Sequence, residues 1–119
     1  MSIDKEKQEL LEIAQEALME EGFEIYIYDN KQDNEPDFFV KTYNKDLEEE
    51  YMIPVFVESS ESLRKQETVK KIIDTAKECD FQGHSCMVIL PAKDKTFLEN
   101  ILKKEGLNNV VDIIDIPEE

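Results

Sequence analysis

The sequence predicts a three-layer α/β/α sandwich built on a mixed five-stranded sheet, and three observations carry that expectation. Helical and strand periodicities alternate along the chain in the order helix, three strands, helix, strand, helix, strand. The first three strands are joined by short connections, which favour an antiparallel meander, while the two later helices act as crossovers to parallel or mixed neighbours. The 119 residues, 40% of them hydrophobic, suffice for one core, so residues 1–119 are expected to form a single domain.

The first helix rests on Leu10, Leu11, Ala14, Ala17 and Leu18, which recur at helical spacing as one apolar stripe. Glu9, Glu12, Glu16 and Glu20 fall largely outside it. Ser2 or Asp4 can cap its start, and Gly22 stands where a left-handed residue would end it. Residues 23–28, with Phe23, Ile25 and Ile27 alternating with Glu24, Tyr26 and Tyr28, read as the first strand. Residues 29–36 are a turn by composition. Its acids, Asp29, Asp33, Glu35 and the following Asp37, lack the central Gly and terminal Glu spacing of an EF-hand loop.

The second strand is expected from about residue 37 to 43, with Asp37 and Lys41 on one face. An acidic run, Asp46 to Glu50, reads as a solvated loop. The third strand covers roughly residues 52–58 and is apolar on both faces, hence covered on both, with Pro54 at its beginning or on an unpaired side. A second helix starts within Ser59, Ser60, Glu61 and Ser62 and continues to about Cys79 through Leu63, Val69, Ile72, Ile73 and Ala76. The continuous apolar run at residues 86–90 predicts a buried, parallel fourth strand. A third helix, with Phe97, Leu98, Ile101 and Leu102 inward, stops at Gly106, and residues 110–116 supply the fifth strand.

Charge narrows the partners. Lys and Arg number 14 against 29 Asp and Glu, a formal net charge of −15, and a field of that sign repels polyphosphates. Nucleic acid is therefore disfavoured unless a local basic patch or bound cations intervene. No 18-residue apolar run appears and residues 1–6 lack a signal-peptide core, so a soluble, cytoplasmic protein with no membrane association is expected. Two cysteines are too few for a disulfide framework. Cys79, His84 and Cys86 match no zinc-site spacing and have no obvious fourth ligand, so the cysteines read as core residues and the histidine as a loop residue.

The chemistry concentrates between Pro36 and Lys65. Asp37 opens one strand, Glu58 closes the next, and a helix start with serines, Arg64, Lys65 and Gln66 follows at once. Two carboxylates brought to one end of a sheet are the minimum that a divalent cation requires. Helix, three-strand meander, helix, strand, together with Pro36-Asp37 and Glu58, resembles the restriction-endonuclease-like, or PD-(D/E)xK, nuclease superfamily. The resemblance covers most of the chain in topology and rests on a short motif. It implies that Asp37 and Glu58 hold Mg²⁺ and that a lysine two residues after the second acid positions or activates the attacking water.

That position is Ser60, so the usual cation for water and transition-state charge is missing. Lys41, on the face of Asp37, and Lys65, on the next helix, are the candidate replacements, and family members with a displaced lysine favour Lys41. Gln66 resembles a helix-two glutamine seen in some members. The expectation is a small acidic domain with an eroded site, acting as a non-catalytic interaction module through an unknown protein partner or self-association. The alternative is a Mg²⁺-dependent nuclease using a displaced lysine.

Overall fold

A computed structural model describes residues 5–27, 35–46 and 48–117. Helix α1 spans Lys5–Glu20, and three strands follow: β1 Glu24–Ile27, β2 Phe38–Asn44 and β3 Glu49–Val57. A single helical turn, α2 (Ser60–Leu63), precedes helix α3 (Gln66–Gln82). Strand β4 (Cys86–Pro91), a 3₁₀ turn at Ala92–Asp94, helix α4 (Lys95–Glu105) and strand β5 (Val111–Ile116) complete the chain. The sheet runs in the order β1-β2-β3-β4-β5. The first two pairings are antiparallel and the last two parallel, as the short early connections and the later helical crossovers dictate.

Two apolar layers hold helices to the sheet. On one face Leu10, Ala14 and Leu18 of α1 pack on Phe38, Val40, Val55, Val57, Met87 and Ile89. On the other, Ile72, Ala76 and Cys79 of α3 and Leu98 and Leu102 of α4 pack on Phe56, Cys86, Val88 and Leu90. The period-2 alternation within β3 and β4 feeds both layers, so Val55, Phe56, Val57, Val88 and Leu90 are wholly buried.

Several boundaries differ from the sequence expectation, each for a local reason. The second helix is broken into α2 and α3 because Lys65 is extended (φ −80°, ψ 134°). The first turn is already closed by a reciprocal cap in which Ser59 and Ser62 each accept the other's backbone N–H. Helix α3 runs on past Cys79 to Gln82, where Gly83 ends it at φ +77°. The acidic run is only partly a loop: Glu49 and Glu50 belong to β3, remain exposed, and face Asn44 and Tyr43 across the hairpin. Pro54 lies inside β3, buried opposite Phe39. Its nitrogen points to the β4 side, by alternation with Glu58, whose N–H donates to the Ile89 carbonyl. The β3–β4 register begins only at Val55, so no ladder bond is lost. The caps expected at Ser2 or Asp4, the acids Asp29 and Asp33, and Tyr28 lie outside the described residues.

Candidate functional site

The start of β2 and the end of β3 meet at one corner of the sheet. Asp37 stands one residue before β2, and its N–H donates to the Val55 carbonyl, fixing it beside β3. One carboxylate oxygen, Oδ2, accepts the Val57 N–H at 2.7 Å, so the side chain caps the ladder where β2 has no further carbonyl to offer. Glu58 is the first residue beyond β3, tied to β4 through its own N–H and fully buried. The structure thus brings the Asp37 and Glu58 carboxylates to the same corner.

The cation between them is a side chain. Lys7, in the first turns of α1, places its Nζ 3.3 Å from Asp37 Oδ1 and 3.2 Å from Glu58 Oε1. Ser62 donates its hydroxyl to the same Glu58 oxygen at 3.3 Å, and Lys71 of α3 approaches the other, Oε2, at 3.9 Å. Oε2 has no hydrogen-bond partner, alone among the buried side-chain oxygens and nitrogens of the described residues. Lys71 also lies 5.7 Å from the Phe56 ring centroid. Two carboxylates thus face two ammonium groups, in a corner where the carboxylate side chains are 6% and 0% exposed.

The electrostatics follow from burial and these pairings. Burial pushes the Glu58 pKa up, Lys7 and Lys71 pull it down, Asp37 pushes it up again, and the balance leaves it above the ordinary glutamate value. Burial also disfavours the Lys7 ammonium, but Glu58 and then Asp37 outweigh that and hold its pKa above the ordinary lysine value. The proton on Lys7 is therefore a structural component of the corner.

The other predicted residues lie elsewhere. Lys41 lies within β2, four residues, about 13 Å, along the extended chain from Asp37. There it pairs with Glu50 at 2.9 Å and Glu24 at 3.9 Å near the open end of the meander. Lys41→Met should leave the melting temperature and the Asp37–Glu58 corner unchanged, checked by a thermal scan and by amide shifts at Val57 and Glu58. Lys65 and Gln66 line a separate concavity with Arg64, Val69, Lys70 and Phe97. Lys41 and Lys65 thus have other surroundings, and the lysines whose ammonium groups pair with Glu58 are Lys7 and Lys71.

Ser60, which stands where the family resemblance asks for lysine, is fully used. Its N–H donates to Glu6 Oε1 at 2.9 Å and its hydroxyl donates to Asp94 Oδ2. Asp94, 1% exposed, also accepts from Arg64 at 2.7 Å, and that guanidinium lies 4.4 Å over the Phe97 ring. The helix starts of α1, α2 and α4 are thereby tied together next to the corner. Cys79 and Cys86 are buried, free and hydrogen-bonded to each other, which holds the Cys86 thiol well above its ordinary pKa. His84 instead stacks on Tyr51 at 4.9 Å.

Sequence reasoning missed Lys7, Lys71, Glu6 and Asp94. A signal for Lys7 existed: it falls seven residues before Ala14 and three before Leu10, on the stripe that α1 buries. A cation on an apolar stripe needs a carboxylate beneath it. Lys71 sits at the border of the α3 stripe, between Thr68 and Ile72, and signals more weakly.

No family model matches the chain, and no curated protein or solved structure does either.

Proposed function

We propose that this chain is a restriction-endonuclease-like domain that does not cleave nucleic acid and serves as a protein-interaction module. The observation that carries this reading is the position of Lys7. An ammonium bonded to both Asp37 and Glu58 supplies the positive charge that two converging carboxylates need, and it occupies the space between them. The residues present do not fit a Mg²⁺ site. Among the described residues no group of three potential ligands converges, and the two carboxylates that do meet are already neutralised by Lys7 and Lys71. The three-strand meander followed by helix and parallel strand supports the family resemblance in topology. The net charge of −15 supports a partner other than nucleic acid.

The test is a thermal titration of the wild-type chain with Mn²⁺ and Mg²⁺, alongside incubation with single- and double-stranded DNA and RNA. No rise in melting temperature and no cleavage are expected. A Mn²⁺-dependent rise that Asp37→Ala abolishes, with cleavage products, would establish the other reading, a metal-dependent nuclease in which Lys7 leaves the corner.

A further inference from the structure

The two faces of the sheet are unequally covered. Helices α3 and α4 cover one, whereas among the described residues α1 is the one helix on the other, packing on β1, β2, β3 and β4. Beside α1, over β4 and β5, a cavity of about 330 Å³ is lined by Ile13, Ala17, Met87, Ile89, Ile114 and Ile116, among others. Ile13, on α1, is 48% exposed and Ile114, on β5, 40%. Register accounts for the floor: Ile89 and Ile114 are partners in the parallel β4–β5 ladder, as are Pro91 and Ile116, so these side chains share the α1 face. The slot lies where a second helix would complete this layer of the sandwich.

Its rim is acidic. Residues 8–21 carry Glu9, Glu12, Glu16, Glu20 and Glu21 with no Lys or Arg among them. Glu21 lines the slot, and Glu16 and Glu20, three and seven residues after Ile13, stand on the adjoining outer face of α1, where they border a neighbouring concavity with Glu12 and Met19. Across the slot, Asp112 is exposed and in register with Met87. A second copy of this chain, itself at −15, would bring like charge to that rim.

We infer that the slot between α1 and β5 is a docking groove for a basic amphipathic helix of another protein. Such a helix would place an i, i+3/i+4, i+7 apolar stripe on Ile13, Ile89, Ile114 and Ile116 and set Lys or Arg side chains against Glu16, Glu20, Glu21 and Asp112. The inference rests on the interaction-module reading and names its surface and partner chemistry.

The probe is an 18-residue peptide with leucines on one helical face and lysines on the other, labelled for fluorescence anisotropy. Its controls are a peptide of equal composition with the periodicity scrambled and one with glutamates for lysines. On the full chain the lysine peptide is expected to bind at least tenfold more tightly than either control, gain helical circular dichroism, and weaken as salt is raised. Ile13→Ser and Ile114→Ser, both at half-exposed positions that should leave the melt intact, are expected to weaken binding at least tenfold. Phe81→Ser, at a 92% exposed site at the far end of α3, should change nothing. Equal binding of the scrambled peptide, equal loss with Phe81→Ser, binding without helix gain, or amide shifts centred on Arg64–Gln66 would each overturn the inference. So would concentration-dependent dimerisation that Ile114→Ser abolishes, since the occupant would then be a second copy. None of these outcomes touches the module reading, which falls only to metal binding or cleavage at the Asp37–Glu58 corner.

Discussion

Lys7→Met is expected to lower the melting temperature by roughly 10–15 °C at pH 7, which for a chain of this size corresponds to about 3 kcal/mol. The variant keeps the aliphatic stem but removes the charge from between two carboxylates. It leaves Asp37 and Glu58 facing each other with Lys71, 3.9 Å away, as the remaining cation on Glu58. The loss belongs at the lower end of what breaking a buried pair costs, because the Lys7 side chain is 24% exposed and water can relax into part of the space. The defect should depend on pH in a defined direction. In the folded wild type the Glu58 pKa is already above the ordinary value, so the folded chain binds a proton more readily than the unfolded one. Stability therefore falls as pH rises from the ordinary glutamate range through the folded pKa. Removing Lys7, the largest opposing influence, raises the folded pKa further, so the variant should regain stability as pH drops across that window. Melts between pH 4.5 and 8 test this, and a Lys7→Met defect that is constant over the range would show that the corner does not hold an ionised Glu58. Lys7 itself acts in the same sense at the alkaline end. Its raised pKa contributes stability below the ordinary lysine value that is lost as pH climbs through the folded one.

Asp37→Ala should cost about as much, roughly 3 kcal/mol, by a different route. It leaves the Val57 N–H without its 2.7 Å acceptor in a buried strand end, and it strips one carboxylate from Lys7. Asp37→Asn separates the two contributions. The amide oxygen can still accept from Val57, so the asparagine variant should recover about half of the alanine loss and keep Val57 protected from hydrogen exchange. Equal melting temperatures for the two variants would mean that the charge pairing with Lys7 accounts for the whole effect and that the ladder cap contributes nothing.

The architecture is readable from the chain because most elements carry a distinct apolar pattern. The stripe of Leu10, Ala14 and Leu18, the two-sided apolar strand around Val55 to Val57, and the continuous run from Cys86 to Leu90 each admit one placement. The meeting of Asp37 and Glu58 was readable too, since an antiparallel pair brings the start of one strand beside the end of the next. The identity of the cation was not. Lys7 lies 51 residues from Glu58, and only the docking of α1 across the sheet brings it there. Lys41 was the natural sequence candidate because it shares a face with Asp37, but a shared face does not shorten the distance along a strand, and Glu24 and Glu50 are nearer. The break between α2 and α3 is not legible in the sequence for a related reason: the apolar spacing continues from Leu63 to Val69 and hides the extended Lys65 between them.

The two bonds that tie the start of α1 to the end of β3, Lys7 to Glu58 and Glu6 to the Ser60 N–H, span 51 and 54 residues. During synthesis α1 is made first, yet Glu58 and Ser60, which hold its first turn, follow only once the whole β1–β3 meander has been made. The apolar stripe of α1 meets Phe38, Val40, Val55 and Val57 of that meander, so the stripe can be covered before its first turn is pinned. Closure of the Asp37–Glu58 corner by Lys7 is thus a late, long-range event that reports completion of the α1–meander half of the fold.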